Sequence, residues 1–140
     1  MKRNRSVPSA TVIPVLVYPD VGKAVDWLVA AFACAERLRI GDNHRSQLSF
    51  GDGAVIVADT HAERRPPHPG EVTHSLIVRV EHLDSHHERA KAHGARIVAE
   101  PADFPFGERQ YTAEDPAGHR WTFSETLADV APESWGGTRR

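Results

Sequence analysis

The chain reads as an α+β protein made of paired βαβββ modules, whose strands form a curved, mostly antiparallel eight-stranded sheet. Three observations carry this reading. Residues 11–59 run strand, helix and three strands, residues 72–126 repeat that order, and a proline-rich stretch separates the two runs. A hairpin late in the second run, with Asp115-Pro116-Ala117-Gly118 as its turn, is the most informative local signal. Proline presets the second turn position, glycine admits a positive φ, and the aspartate accepts from nearby backbone N–H groups.

Residues 11–18 are β-rich, and Asp20 follows as an N-cap. Val21, Ala24, Val25, Leu28 and Phe32 then recur at helical spacing. Residues 35–41, 45–50 and 54–59 have strand character, the last two joined through Gly51-Asp52-Gly53 as a hairpin. Residues 60–70, with Pro66-Pro67 and Pro69, cannot continue regular structure and read as a linker. Residues 72–80 start the second module as a strand. A short helix through Leu83, Ala90 and Ala92 ends at His93-Gly94, glycine suiting the left-handed position after a helix. Residues 95–99, 109–113 and 119–125 complete the set. Asp20-Val21 matches His82-Leu83, and Phe32-Ala33-Cys34 matches His93-Gly94-Ala95, so element order repeats where residue identity does not. The expected organisation is one domain over residues 11–126: module one 11–59, linker 60–71, module two 72–126, with tails at 1–10 and 127–140.

Composition narrows the function. A chain of 140 residues is long enough for one sizeable core without staples. Its 17 Lys+Arg against 19 Asp+Glu give a net charge of −2, which supplies no overall attraction to nucleic acid or to an anionic membrane. A small-molecule ligand fits better. Nothing approaches an apolar run long enough to span a bilayer, and the basic residues 2–5 lead into Ser6-Val7-Pro8-Ser9 rather than an apolar signal core. The single cysteine, Cys34, excludes an internal disulfide and reads as a small buried hydrophobe at a helix end. A cytoplasmic protein is the expectation.

The candidate ligand-binding residues are Gln47, Phe104, Phe106, Arg109, Tyr111 and Trp121, the aromatics offering flat area at low entropic cost. Trp121 and Phe123 share one face of their strand, and Thr122 and Ser124 share the other, so whichever pair faces the helices is core. Arg109, beside the Phe106-Gly107 turn, either forks onto a ligand carboxylate or phenolate or pairs with Glu108, Glu114 or Asp115. His82 and His86 lie four apart, but among Ser85, His87, Glu88, Arg89 and Lys91 they read as a solvated helix face. Trp135 sits alone in the tail, where it docks on a groove or a dimer interface or belongs to a disordered end.

The duplicated modules, the two helix ends and the Phe106 to Trp121 hairpin together resemble the vicinal oxygen chelate superfamily: glyoxalase I, bleomycin-resistance proteins and extradiol dioxygenases. The resemblance implies a homodimer with a cleft that holds a divalent metal in the enzymes. In metal-dependent members the ligands come from the first and fourth strands of each module. Carried onto this chain, those positions fall near Ile13, near Val57, on His74 and near Thr122, and only His74 is a competent ligand. Gln47, Ser49 and Asp59 are neighbours available to substitute, while Glu125 needs an odd register slip that sends it to the wrong face. One imidazole does not hold a divalent ion. His74 is therefore expected as a general base or ligand-orienting donor, or as a hydrogen-bonded core histidine. The expected function is metal-free small-molecule binding, sequestering an aromatic or amphipathic compound. The alternative is a metal-dependent lyase, isomerase or dioxygenase with an atypical ligand set.

Overall fold

In a computed structural model that describes residues 1–68 and 70–140, the elements follow the expected order. Module one comprises β1 (Val15–Tyr18), α1 (Val21–Phe32), β2 (Ala35–Ile40), β3 (Arg45–Phe50) and β4 (Gly53–Asp59). Module two comprises β5 (Leu76–Arg79), α2 (Leu83–Ala92), β6 (Arg96–Asp103), β7 (Glu108–Glu114) and β8 (Arg120–Thr126). The strands divide four and four, in the orders β1-β4-β3-β2 and β5-β8-β7-β6. In each sheet the first strand runs parallel to the fourth and the other pairings are antiparallel.

Three strand bounds differ from the sequence expectation by four residues. β1 and β5 start four residues later than the β-rich runs beginning at residues 11 and 72, so both parallel pairings are short. β6 runs beyond Ala99 to Asp103 and absorbs Pro101 where its register against β7 shifts. Proline is tolerated there because β6 is an edge strand and a bulge needs no ladder donor.

The two helices begin differently. Asp20 caps α1 by accepting from the Lys23 N–H at 3.0 Å. His82, its counterpart, makes no side-chain cap and stands in the left-handed region at φ 55°. Glu125 of β8 takes over, accepting from the Leu83 N–H at 2.7 Å. A helix start that would otherwise leave its donors unpaired is thus fastened to the sheet beneath it.

Each sheet turns one face to the helices, and these inner faces meet in one core. Leu16, Val55 and Val57 of sheet one join Tyr111, Ala113, Trp121 and Phe123 of sheet two, with Val25, Leu28, Phe32, Leu83 and Ala90 of the helices between them. Phe32, at the end of α1, is the hinge of this contact. Its ring centroid lies 5.3 Å from that of Trp121 and 4.7 Å from that of Phe123. Polar bonds follow the same seam: Trp27 Nε1 donates to the His93 carbonyl at 2.7 Å, and Arg89 Nε donates to the Ala30 carbonyl at 2.6 Å. The modules therefore pack helix side to helix side. Their outer sheet faces point away from each other.

Asp115, the first residue of the hairpin turn, holds this seam at its buried end. One carboxylate oxygen accepts from Tyr18 Oη at 2.5 Å and Trp121 Nε1 at 3.0 Å; the other accepts from the N–H groups of Ala117 at 3.1 Å and His119 at 3.0 Å. Burial, reinforced by the adjacent carboxylate, pushes the Tyr18 phenol well above its ordinary range, so it stays a donor. His119 adds a second tie, Nε2 donating to the Val17 carbonyl at 2.7 Å. Removing the carboxylate leaves buried donors unpaired, whereas removing one donor leaves three. Asp115→Ala is expected to cost about 3–5 kcal/mol of unfolding free energy and Tyr18→Phe about 1–2 kcal/mol, read from denaturant titrations.

Candidate functional site

Strand pairing assigns the outer faces. In module one, Val15 pairs with Ile56 and Val17 with Ala58, while Gln47 sits opposite Ile56 on the next strand. These alternate with the core residues Leu16, Val57 and Leu48, so they share the face turned away from α1. In module two, Ile77 pairs with Thr122, Thr122 with Thr112, and Ser124 with both Arg79 and Gln110. Ile77 is 68% exposed and stands at the rim.

The two faces differ in chemistry. Module one presents an apolar wall of Val15, Val17 and Ile56 on β1 and β4. Module two presents a ladder of hydroxyls and amides. Ser124 Oγ donates to Glu108 Oε1 at 2.8 Å and accepts from Gln110 Nε2 at 3.0 Å, and the Thr112 and Thr122 hydroxyls lie 2.8 Å apart. Beyond them Glu114 pairs with Arg96 at 3.1 Å and with Arg120 at 3.3 Å. Where the two sheets adjoin, an open groove of about 510 Å³ is lined by Val12, Pro14, Phe50, Ile77 and Arg79 among others, a size ordinary for a small-molecule site.

The sequence-predicted site residues scatter across this frame. Gln47 lies on the outer face of module one, 4% exposed, with Arg37 NH1 donating to its Oε1 at 2.5 Å. Thr122 lies on the outer face of module two. Tyr111 and Trp121 do not line a cleft: both are buried on the inner face, Tyr111 against His86 and Trp121 against Phe32 and Phe50. Val57 is likewise core, so the outward residues of that strand are Ile56 and Ala58. Arg109 is bound elsewhere, to Asp103 at 2.7 Å and Asp84 at 3.1 Å, rather than to Glu108, Glu114 or Asp115. Its guanidinium holds the Asp103 carboxyl below the usual range. Phe104 and Phe106 stack at the β6–β7 turn with centroids 5.4 Å apart, and Trp135 covers Phe106 at 5.2 Å. Gly107 permits that docking, since a Cβ there would lie 2.4 Å from the Ala128 carbonyl oxygen. His74 precedes β5, is exposed, and its Nδ1 lies 3.2 Å from the Thr73 hydroxyl. With His119, Glu71 and Pro67 it borders a cavity beside the linker that Val15 and Val17 of the module-one outer face also line.

These modules, paired through their helices and opening outward, define a known class. The chain belongs to the Glyoxalase/Bleomycin resistance protein/Dioxygenase superfamily, whose family model matches residues 11–123. The crystal structure of TioX from Micromonospora sp. ML1 is similar at a TM-score of 0.70 and 36% identity, over 85% of this chain and 100% of that one. The fosfomycin resistance protein FosX from Listeria monocytogenes shares the fold at a TM-score of 0.66 and 14% identity, over 84% of this chain and 93% of that one. An uncharacterized protein of Mycobacterium tuberculosis is 26% identical over 127 residues, covering 84% of this chain and 75% of that protein.

The superfamily's divalent metal does not fit the donors present. The outward residues of the first strands and their partners on the fourth are Val15, Val17, Ile56, Ala58, Ile77, Arg79, Thr122 and Ser124, with neither an imidazole nor a carboxylate among them. Among the described residues, no three His, Cys, Asp or Glu side chains converge as a metal site. Asp59 is engaged by His44 at 3.1 Å and Arg64 at 3.4 Å, and Glu125 caps α2.

Two histidines expected on a solvated surface are structural. His87 is buried, its Nε2 only 3.0 Å from the Glu100 carboxylate but not aligned for a hydrogen bond. His86 bridges the modules, Nε2 lying 3.0 Å from the Phe32 carbonyl and Nδ1 2.5 Å from the Tyr111 hydroxyl. The neutral ring suits both contacts, donating to the carbonyl and accepting from the phenol. Cys34 is buried as expected, and burial pushes its thiol up to about 11. Burial lowers the His86 pKa below 6.5, the Phe32 carbonyl opposes that shift, and Arg89 adds to it. The unfolded chain then binds the extra proton more readily than the folded one, so this contribution is complete above about pH 6.5 and lost as pH falls below it. The stability advantage of the native chain over His86→Gln is expected to shrink from about pH 7.5 to about 5.5, measured by paired thermal melts.

Proposed function

We propose that the protein is a metal-free binder of an amphipathic small molecule, held between outer faces of two copies of the chain. The observation that carries this reading is the contrast between those faces. A ligand laid between the Val15, Val17 and Ile56 wall of one copy and the Gln110, Thr122 and Ser124 ladder of the other finds an apolar side and a hydrogen-bonding side. Within one chain the two faces point apart, so a second copy is the simplest way to oppose them. The ligand's apolar part supplies the binding energy and the ladder orients it. An aromatic ligand draws support only from Phe104 and Phe106, because Tyr111 and Trp121 are core. Sequestration, rather than turnover, is supported by paired outer-face strand residues among which there is no metal-binding set. His74 has no orienting partner beyond Thr73 among the described residues, and it reaches only the edge of the module-one wall, in the cavity that Val15 and Val17 line.

The test is elemental analysis of the purified protein together with titration by anilinonaphthalene sulfonate, an amphipathic fluorescent probe. The expected outcome is no stoichiometric metal, no thermal stabilisation by Ni, Zn, Mn or Fe(II), and saturable probe binding. Ile77→Glu should weaken that binding about tenfold or more, the value of one apolar side chain replaced by a charge. Stoichiometric metal with stabilisation by a single ion would instead establish a metal-dependent member with a rearranged ligand set.

A further inference from the structure

The N-terminal segment lies on the outer face of module one. Gln47 Nε2 donates to the Ser6 carbonyl at 2.9 Å, and Arg37 NH2 donates to the Arg5 carbonyl. Arg37 NH1 bonds the Gln47 Oε1, which fixes the amide so that its nitrogen faces the segment. Asn4 shapes the approach by accepting from the Ser6 N–H at 3.0 Å, and Pro8 is buried. Gln47 is consequently 4% exposed although it stands on the sheet's outer face. Module two shows the contrast. Gln110 holds the corresponding third position of its own strand, β7, yet bonds Ser124 within its sheet and is only partly buried.

We infer that residues 4–8 are a built-in occupant of the module-one half-site, and that Arg37 and Gln47 read carbonyl or carboxylate acceptors, so a ligand enters by displacing the segment with an acceptor group of its own. The chemistry is restrictive. A guanidinium has donors only, and Arg37 already occupies the Gln47 oxygen and turns the amide nitrogen toward the segment, so the pair presents mainly N–H groups to a ligand. Two main-chain carbonyls satisfy it in this state. The inference deepens the small-molecule reading and rests on it: it adds a class of ligand, one carrying a carboxylate, amide or ketone beside its apolar part, and a gate.

Limited trypsin digestion of the full chain, followed by intact mass, tests the occupant without any ligand. Cleavage after Arg5 is expected to be slow relative to cleavage after Arg64 in the linker. Gln47→Leu, which keeps the size of the side chain and removes both bonds, should speed cleavage after Arg5 about tenfold while leaving the Arg64 rate unchanged, because proteolysis of a transiently opened segment follows the population of the open form. A second measurement uses a chain with residues 2–7 deleted, which leaves the core from Leu16 onward intact. An acetylated peptide of residues 3–8 should bind the deleted chain and not the full one, and anilinonaphthalene sulfonate, whose sulfonate is an acceptor, should bind the deleted chain more tightly. Equal cleavage after Arg5 in the native and Gln47→Leu chains overturns the inference, as does a peptide that ignores the deletion. If protection and peptide binding hold while no form of the chain binds the amphipathic probe, the occupant stands and the small-molecule reading fails.

Discussion

The Asp115 carboxylate is the constraint on which the arrangement of the two modules depends. A buried charge without partners costs several kcal/mol, and four donors drawn from β1, β8 and the turn itself offset that cost here. Tyr18 and Asp115 are 97 residues apart in sequence, so the bond joins the first strand of module one to the last hairpin of module two. With that end fastened, the apolar surfaces of α1 and α2 have one register in which Phe32 reaches Trp121 and Phe123. Hydrophobic burial contributes more to the stability of the core, but it is non-directional. The carboxylate supplies the direction.

Helix-side packing determines where ligands can go. Because the inner faces are consumed by the shared core, the sheet surfaces left among the described residues are the outer ones, and within a single chain they diverge. Their composition then acquires meaning: an apolar wall on one module, a hydroxyl and amide ladder on the other, and on the paired first and fourth strands neither an imidazole nor a carboxylate facing outward. The segment held by Arg37 and Gln47 belongs to the same logic, since an amide on an outer face that no ligand covers must find another partner.

Much of the fold was legible in the residues. The Asp20 cap, the spacing from Val21 to Phe32, the Gly51-Asp52-Gly53 link and the Asp115-Pro116-Ala117-Gly118 turn are local signals, and local signals survive folding. The site was less legible because it depends on parity. A position placed one residue off, as at Val57 instead of Ile56, moves a side chain from the outer face to the core. Alternation paired Trp121 with Phe123 correctly, but which face they take depends on where the helices of both modules lie. His86 read as solvated because its partners, Phe32 and Tyr111, are distant in sequence. Polar residues about it on α2 concealed the contact. Asp115 read as a turn residue and as an alternative partner of Arg109, and nothing within the turn announces that its carboxylate serves Tyr18.

Sedimentation velocity of the full chain across the micromolar range, with and without the amphipathic probe, tests most directly whether two copies close the site. The expected result is a dimer that the probe strengthens and that Ile77→Glu dissociates while the far-ultraviolet circular dichroism is unchanged. A monomer at every concentration that nonetheless binds the probe would contradict it, because one chain alone would then be closing the site that its diverging faces leave open.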